Sequence, residues 1–510
     1  MHLCAALAVL TALVGTSHAT SYYVATTGDD SAAGTQSAPF LTVQKCASTA
    51  AAGDACVLRG GRYPAPATVS GLAGEGAGEG LTIAGFGGED AVIDGSMALS
   101  GDAMKWTKAS ASASASSTGV ASCIYRSAPY DREATVPWQL FLGDRPLTPA
   151  RWPNARLDDL SVFAPHNLLN GSGPLAYSAK NSTFGELVDD DTSALAHSPS
   201  LAESGIDFTG TMVVLPLGVM GADPRGCLVT RHGAGAGSLS YTPPTGSPKS
   251  LHSNNPYFFE GHPKLLDAAA EWSFDQKTRE LMVWLPGCAD PNKAAVRGKV
   301  RGFNLNATKS QMNLKDLTLF ATTFGATNSG VSLLNVTMNC PTFNKRGIGE
   351  CGPTGETWLH IDKRRSFRME NSSVFFSDGP SVFNRYGDNA VLTNNLFRGS
   401  CYAVGSSASL DDHNGPRGLL FERNTIEHFN CFTAITPGYD ATIRLNRFRH
   451  QGSHTDGAGV HVHIGPQNGV VIEQNWFHDI TNKALRFDRV NSPTATCKIP
   501  EVNSFSNRCC

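Results

Sequence analysis

From residue 314 onward one short pattern keeps returning: an apolar residue, two of any kind, asparagine or a substitute, one of any kind, and a second apolar residue. Its copies occupy residues 314–319, 333–338, 369–374, 392–397, 421–426, 443–448 and 472–477. The fourth positions are Leu317, Val336, Ser372, Asn395, Asn424, Asn446 and Asn475, at steps of 19, 36, 23, 29, 22 and 29 residues. A leucine-rich repeat keeps a tighter, more constant period and a propeller blade is longer, so neither fits. A chain of this kind buries its apolar positions by stacking each unit on the last, and the spacing predicts a parallel β-solenoid. Units about 4.8 Å apart would align Asn395, Asn424, Asn446 and Asn475 in one column, each amide bonding the next. We assign that column to structure, because a buried amide without partners is costly.

The rest of the composition agrees with short strands joined by turns: 52 Gly and 28 Pro among 510 residues and few long helical patterns. The formal net charge of −3 lacks the basic footprint of a nucleic-acid binder. At the N-terminus an apolar run from Leu3 to Val14 leads to Ser17-His18-Ala19, which reads as an export signal cleaved after Ala19. No apolar run reaches the ~20 residues of a membrane span. Of 13 cysteines Cys4 would leave with the signal, and the remaining even set suits disulfides in an oxidising, extracellular setting. The pairs closest in sequence are Cys46 with Cys56 and Cys340 with Cys351, and none has the CxxC spacing of a zinc site. Sequons at Asn170, Asn181, Asn306, Asn335 and Asn371 would permit glycosylation.

Near the start, Tyr22-Tyr23-Val24, Gly28-Asp29, Gly34-Thr35, Pro39-Phe40, Gly53-Asp54 and Tyr63 follow in order around a helical stretch from Thr42 to Ala51. Val43, Ala47 and Ala50 share one face of that helix, which could cap the open end of a sheet stack. The string resembles the opening of pectin-lyase-like proteins, and Val92-Ile93-Asp94-Gly95 resembles one of their turn phrases. The resemblance implies an all-β, right-handed parallel β-helix with an N-terminal cap helix and an irregular β insertion. The expected divisions are 1–19 signal, 20–108 cap and first coils, 109–300 a Ser/Ala-rich spacer and the insertion, 301–490 the main β-helix, and 491–510 a tail. Within the insertion, residues 271–275 and 281–285 read as a hairpin.

Polar chemistry concentrates between residues 450 and 488. Residues 460–463 and 485–488 each alternate apolar and polar types, so Val460, Val462, Leu485 and Phe487 are expected inward and His461, His463, Arg486 and Asp488 outward. The register expected across them pairs His461 with Arg486 and His463 with Asp488. His461, His463, Lys483, Arg486 and Asp488 are the candidate catalytic residues, and His454, Asp456, His478 and Asp479 the candidate substrate-binding ones. A cation beside a uronate carboxylate acidifies the neighbouring C–H and a histidine removes the proton, which points first to a polysaccharide lyase. Hydrolysis competes through paired carboxylates, Asp456 with Asp479 or Asp488. A carbohydrate-binding or cell-surface protein without turnover is the third reading. A further patch, Asp411-Asp412-His413, is read as solvated. No zinc motif or calcium loop is present, a calcium requirement stays open, and so does the oligomeric state.

Overall fold

The computed structural model describes residues 19–64, 69–70, 80–109, 123–130, 137–172, 185–189, 199–217, 223–242, 255–299, 303–308, 311–327, 330–343, 360–362, 367–379, 381–385, 388–402, 408–411, 417–452, 457–462 and 469–487. The protein is all-β around a long parallel sheet of 17 strands, an arrangement compatible with a β-helix. The seven repeats stack in register. Their first apolar positions run Leu314, Leu333, Met369, Leu392, Phe421, Ile443 and Ile472. Their second positions run Leu319, Met338, Val374, Phe397, Ile426, Phe448 and Phe477. All are buried in one continuous core. Phe448 and Phe477 stack at 4.9 Å, as flat rings on neighbouring parallel strands can.

The first two tiers each contribute one long strand, Met312–Phe320 and Val331–Asn339, and the later five contribute two strands divided by a sharp turn. The residue ahead of the fourth repeat position is Asp316, Asn335, Asn371, Asn394, Arg423, Leu445 or Gln474, and every one has φ between 50° and 59°. That left-handed residue turns the chain and delivers the next side chain inward. There the asparagine column forms as expected. Asn446 Oδ1 accepts from Asn424 N at 2.8 Å, and Asn446 Nδ2 donates to Phe421 O and Asn475 Oδ1, each at 2.9 Å. Ser372 closes the column by donating to Glu370 O and accepting from Val336 N.

Five strands precede the repeats on the same sheet: Ser21–Val24, Ala55–Leu58 and Leu81–Gly85 lead to Met312–Phe320, while Gly61–Pro64 pairs with Ala91–Asp94, which joins the second half of Met312–Phe320. The expected helix is Val43–Thr49. Thr42 caps it by accepting from Lys45 N, and Val43, Ala47 and Ala50 are buried. A nine-stranded parallel sheet runs from Val69–Ser70 and Phe303–Thr308 through Thr433–Thr436 and Ala458–Val462 to Lys483–Phe487. Sheets of four, five and seven strands, antiparallel except where Thr148–Pro149 runs parallel to Glu271–Asp275, lie in sequence between Ser96 and Lys299. They include the expected hairpin, Glu271–Asp275 against Glu280–Trp284. Leu157, Phe163 and Phe258 from this region pack with Phe343 and Tyr402 of the tiers.

Among the described residues three disulfides are present: Cys46–Cys56 ties the helix to its neighbouring strand, Cys123–Cys288 closes the five-stranded region, and Cys401–Cys431 joins successive tiers. Cys340 corrects the pairing by sequence proximity. Its thiol is unbridged and fully buried, with its pKa pushed up to about 12 by burial; Cys351 lies outside the described residues. No described helix is long and apolar enough to cross a membrane.

Candidate functional site

Strict alternation fails once per tier, and the failure builds a site. In the last five tiers the second strand carries or ends on one left-handed residue: Phe376 (φ 57°), Gly399 (77°), His428 (54°), His450 (56°) and Asp479 (51°), the last just after its strand, occupy equivalent places. The flanking register fixes that equivalence, running Phe375, Arg398, Glu427, Arg449, His478 on one side and Ser377, Ser400, Phe429, Gln451 on the other. A bulge of this kind puts two consecutive residues on the outer face before the chain turns in again. Two adjacent columns of outward positions result, instead of one.

In the column before the bulge, Glu427 is held between Arg398 and Arg449, which both donate to it, and its side chain is 1% exposed. In the bulge column the rings of His428 and His450 stack at 4.6 Å, and the His478 ring lies edge-on to His450 at 6.1 Å. Asp479 Oδ2 stands 2.8 Å from His478 Nδ1 and 3.2 Å from His450 Nδ1. A carboxylate only accepts, so the Nδ1 protons face it and Nε2 of each ring is left for another partner. Burial lowers the His428 pKa to about 4, helped by the adjacent His450. Burial also lowers that of His450, against the pull of Asp479. Both rings are thus neutral bases at neutral pH.

The facing wall is the segment from Asp159 to His166, with short 3-10 turns at Ser161–Phe163 and Pro165–Asn167. Phe163 anchors it over Gly399, where a side chain would lie 3.5 Å from the Phe163 ring, and Asn430 Nδ2 donates to Val162 O. Between the walls lies a cleft of about 560 Å³ lined by Asp159, His166, His428, His450, Gln451 and Asp479 among others. Asp159 and Asp479 thus come from opposite walls. None of the described lining residues is Lys or Arg. Gln451 is 2% exposed, and neither amide atom has a hydrogen-bond partner among the described residues. Such a group recovers about 1–3 kcal/mol when a ligand satisfies it.

The candidates named from sequence divide between two faces. His478 and Asp479 belong to the histidine columns, and Asp479 lines the cleft. His461, Lys483 and Arg486 lie on the nine-stranded sheet, where His461 pairs with Arg486 in the expected register. His461 is not open to solvent: it is 3% exposed, with Phe432 at 5.5 Å, and Arg486 also lies over that ring. Val460 and Val462 are in the core and Leu485 packs against it, but Phe487 is 43% exposed because it ends the last described strand. His454, Asp456, His463 and Asp488 lie outside the described residues, as do Asp412 and His413. Asp411 is placed by register: Phe383, Asp411 and Thr436 form one column that continues along the strand positions of His461 and Arg486. His360 precedes Phe383 in it, and Asp362 pairs with Arg385 two residues further along those strands.

Sequence reasoning missed Asp159, His166, His428 and Gln451. His428 and Gln451 had a readable signal, since each stands at a fixed offset from the repeat. Asp159 and His166 had none, since only docking of a distant segment brings them to the tiers. Among the described residues no cluster of three or more His, Cys, Asp or Glu side chains is arranged to hold a metal ion.

No protein-family model matches the chain, and no curated protein matches it. Among solved structures, one described as "Glycoside hydrolase" superposes with a TM-score of 0.55 at 10% identity, over 92% of this chain and 96% of its own. Others are a complex of XylC with xylose (TM-score 0.34, 14% identity, 92% and 63% covered) and a GH136 lacto-N-biosidase from Eubacterium ramulus (0.32, 8%, 95% and 68%). Those two scores are too low to carry an argument. The chain is similar in fold, along nearly its whole length, to a solved structure that bears the name of a glycoside hydrolase.

Proposed function

We propose that this is a secreted, polysaccharide-active protein whose tiers wind as a right-handed parallel β-helix of pectin-lyase-like type, and that it hydrolyses glycosidic bonds in the cleft beside His450. The carrying observation is the pair of carboxylates, Asp159 and Asp479, on opposite walls of a cleft lined by His166, His428 and His450 and by no described Lys or Arg. Glycoside hydrolysis uses two carboxyl groups flanking the scissile bond. A lyase needs a cation at the uronate carboxylate, and the described lining residues of this cleft supply none. Asp479, oriented by His450 and His478, takes the role closest to the attacking water or the anomeric carbon. Asp159 faces the leaving oxygen. The three disulfides, the export signal read at residues 1–19 and the sequons support an extracellular setting.

The test is incubation with neutral xylan and with pectate or alginate, reading reducing ends and the ultraviolet absorbance of unsaturated uronates in parallel. Reducing ends without new absorbance are expected. Asp159→Asn and Asp479→Asn should each lower turnover at least about 100-fold, the scale of a lost catalytic acid or base. Full turnover in either variant would remove the assignment.

A second reading rests on the register of His461 with Arg486, a base beside a cation, with Lys483 on the same strand as Arg486. It makes the nine-stranded sheet a uronate lyase site to which His463 and Asp488 also belong. New absorbance that disappears in a His461→Ala, Arg486→Ala double variant would select it.

A further inference from the structure

A second cleft lies in the antiparallel region, formed by residues with no part in the first. It measures about 540 Å³ and is lined by Met212, Leu228, His262, Phe274, Asp275 and Lys277 among others. Its floor is apolar: Phe274 and Met212 are 5% and 4% exposed, and Leu228, 44% exposed, leaves a large apolar side chain at the surface. Its rim holds one fixed donor and one fixed acceptor. His262 Nδ1 accepts from Lys264 N at 3.1 Å, so the neutral ring carries its proton on Nε2. That nitrogen is left accessible by Gly210: a Cβ there would be 3.8 Å away and the glycine has none. Burial keeps the ring neutral by lowering its pKa to about 4, and Lys264 adds to the effect. Across the rim, Asp275 opens the turn of the hairpin between Glu271–Asp275 and Glu280–Trp284. Its Oδ1 accepts from Lys277 N and Thr278 N at 2.8 and 3.2 Å, which anchors the carboxylate with Oδ2 turned to other partners. Lys277 balances its charge, and both lie close enough to His262 to act on its titration.

We propose that this second cleft is a saccharide-binding subsite, separate from the hydrolytic cleft, which holds the polymer by one neutral sugar unit. The proposal rests on the polysaccharide reading above. A pyranose has a C–H face that covers an apolar floor and hydroxyl pairs that accept from one group while donating to another. His262 Nε2–H and Asp275 Oδ2 are such a pair. The rim carries one carboxylate and one ammonium and no excess of cations, so a neutral unit fits it better than a uronate.

The experiment is native affinity electrophoresis through gels containing soluble neutral xylan, with the full chain carrying Asp479→Asn so that the polymer survives. Two further variants are added to that parent. Asp275→Asn keeps an oxygen for the turn hydrogen bonds but loses the charged acceptor, and Leu228→Arg fills the open side of the cleft from an exposed position. Each is expected to weaken retardation about tenfold, the scale of one lost hydrogen bond to a charged group. The same two substitutions in the active protein should leave release of reducing ends from short soluble oligosaccharides unchanged. Retardation of both variants equal to the parent overturns the proposal. So does a parent that is not retarded at all, and in that case reducing-end release by the active protein on the same xylan shows separately whether the hydrolytic reading stands.

Discussion

Two kinds of single residue set the chemistry of the wall. The asparagines hold the tiers together, because each amide satisfies the backbone of the turn and its neighbour's amide at once. Asn446→Ala strips acceptors from Asn424 and a donor from Phe421 O inside a closed core. It should cost about 3 kcal/mol in urea unfolding, the sum of one or two unsatisfied buried groups. The left-handed residues do the opposite work, breaking alternation so that Glu427 with His428, Arg449 with His450, and His478 with Asp479 face out in adjacent pairs. A period-two reading of these strands assigns one residue of each pair to the core, which is why His428 stayed invisible. The repeat itself gave a usable clue, since the bulge falls at the same offset in every tier.

At the scale of elements, the cleft exists because the segment Asp159–His166 docks against the tiers. Phe163 is its anchor, buried at 3% among Leu157, Val162, Phe258, Phe343 and Tyr402. Phe163→Ala should cost about 3–5 kcal/mol of the docked segment's stability. Hydrogen exchange should rise in residues 157–168 and turnover should fall, while protection along the parallel sheet is kept. Loss of protection in strands Thr425–Phe429 and Arg447–Gln451 as well would show that the segment and the tiers are one cooperative unit. Cys401–Cys431 joins two tiers across 30 residues, and its replacement by two alanines should lower stability by about 3 kcal/mol.

For the whole molecule, two histidines couple folding to pH. Burial holds His262 and His428 near 4, against an ordinary 6.5. Between those values the unfolded chain binds protons that the folded chain refuses, so the stability these two rings contribute is complete above about pH 6.5, falls as pH drops through the window and is lost below about 4. Between pH 6.5 and 4 the melting temperature of a His262→Asn, His428→Asn double variant should fall less than that of the parent. An unchanged slope would mean that other groups control it.

How much of this was legible follows from what is local in the chain. The recurring hexapeptide fixed the tiers, the asparagine column, the core positions and the pairing of His461 with Arg486, because an in-register stack repeats one local rule. The hairpin and the cap helix follow from equally local patterns of turn and periodicity. The cleft had no such rule. Asp159 reaches Asp479 across some 320 residues only through apolar docking, and contacts of that kind depend on shape and volume, which leave no periodic trace in a sequence. Sequence alone therefore determined the repeating wall, and the tertiary structure decided which stretch of it became a site.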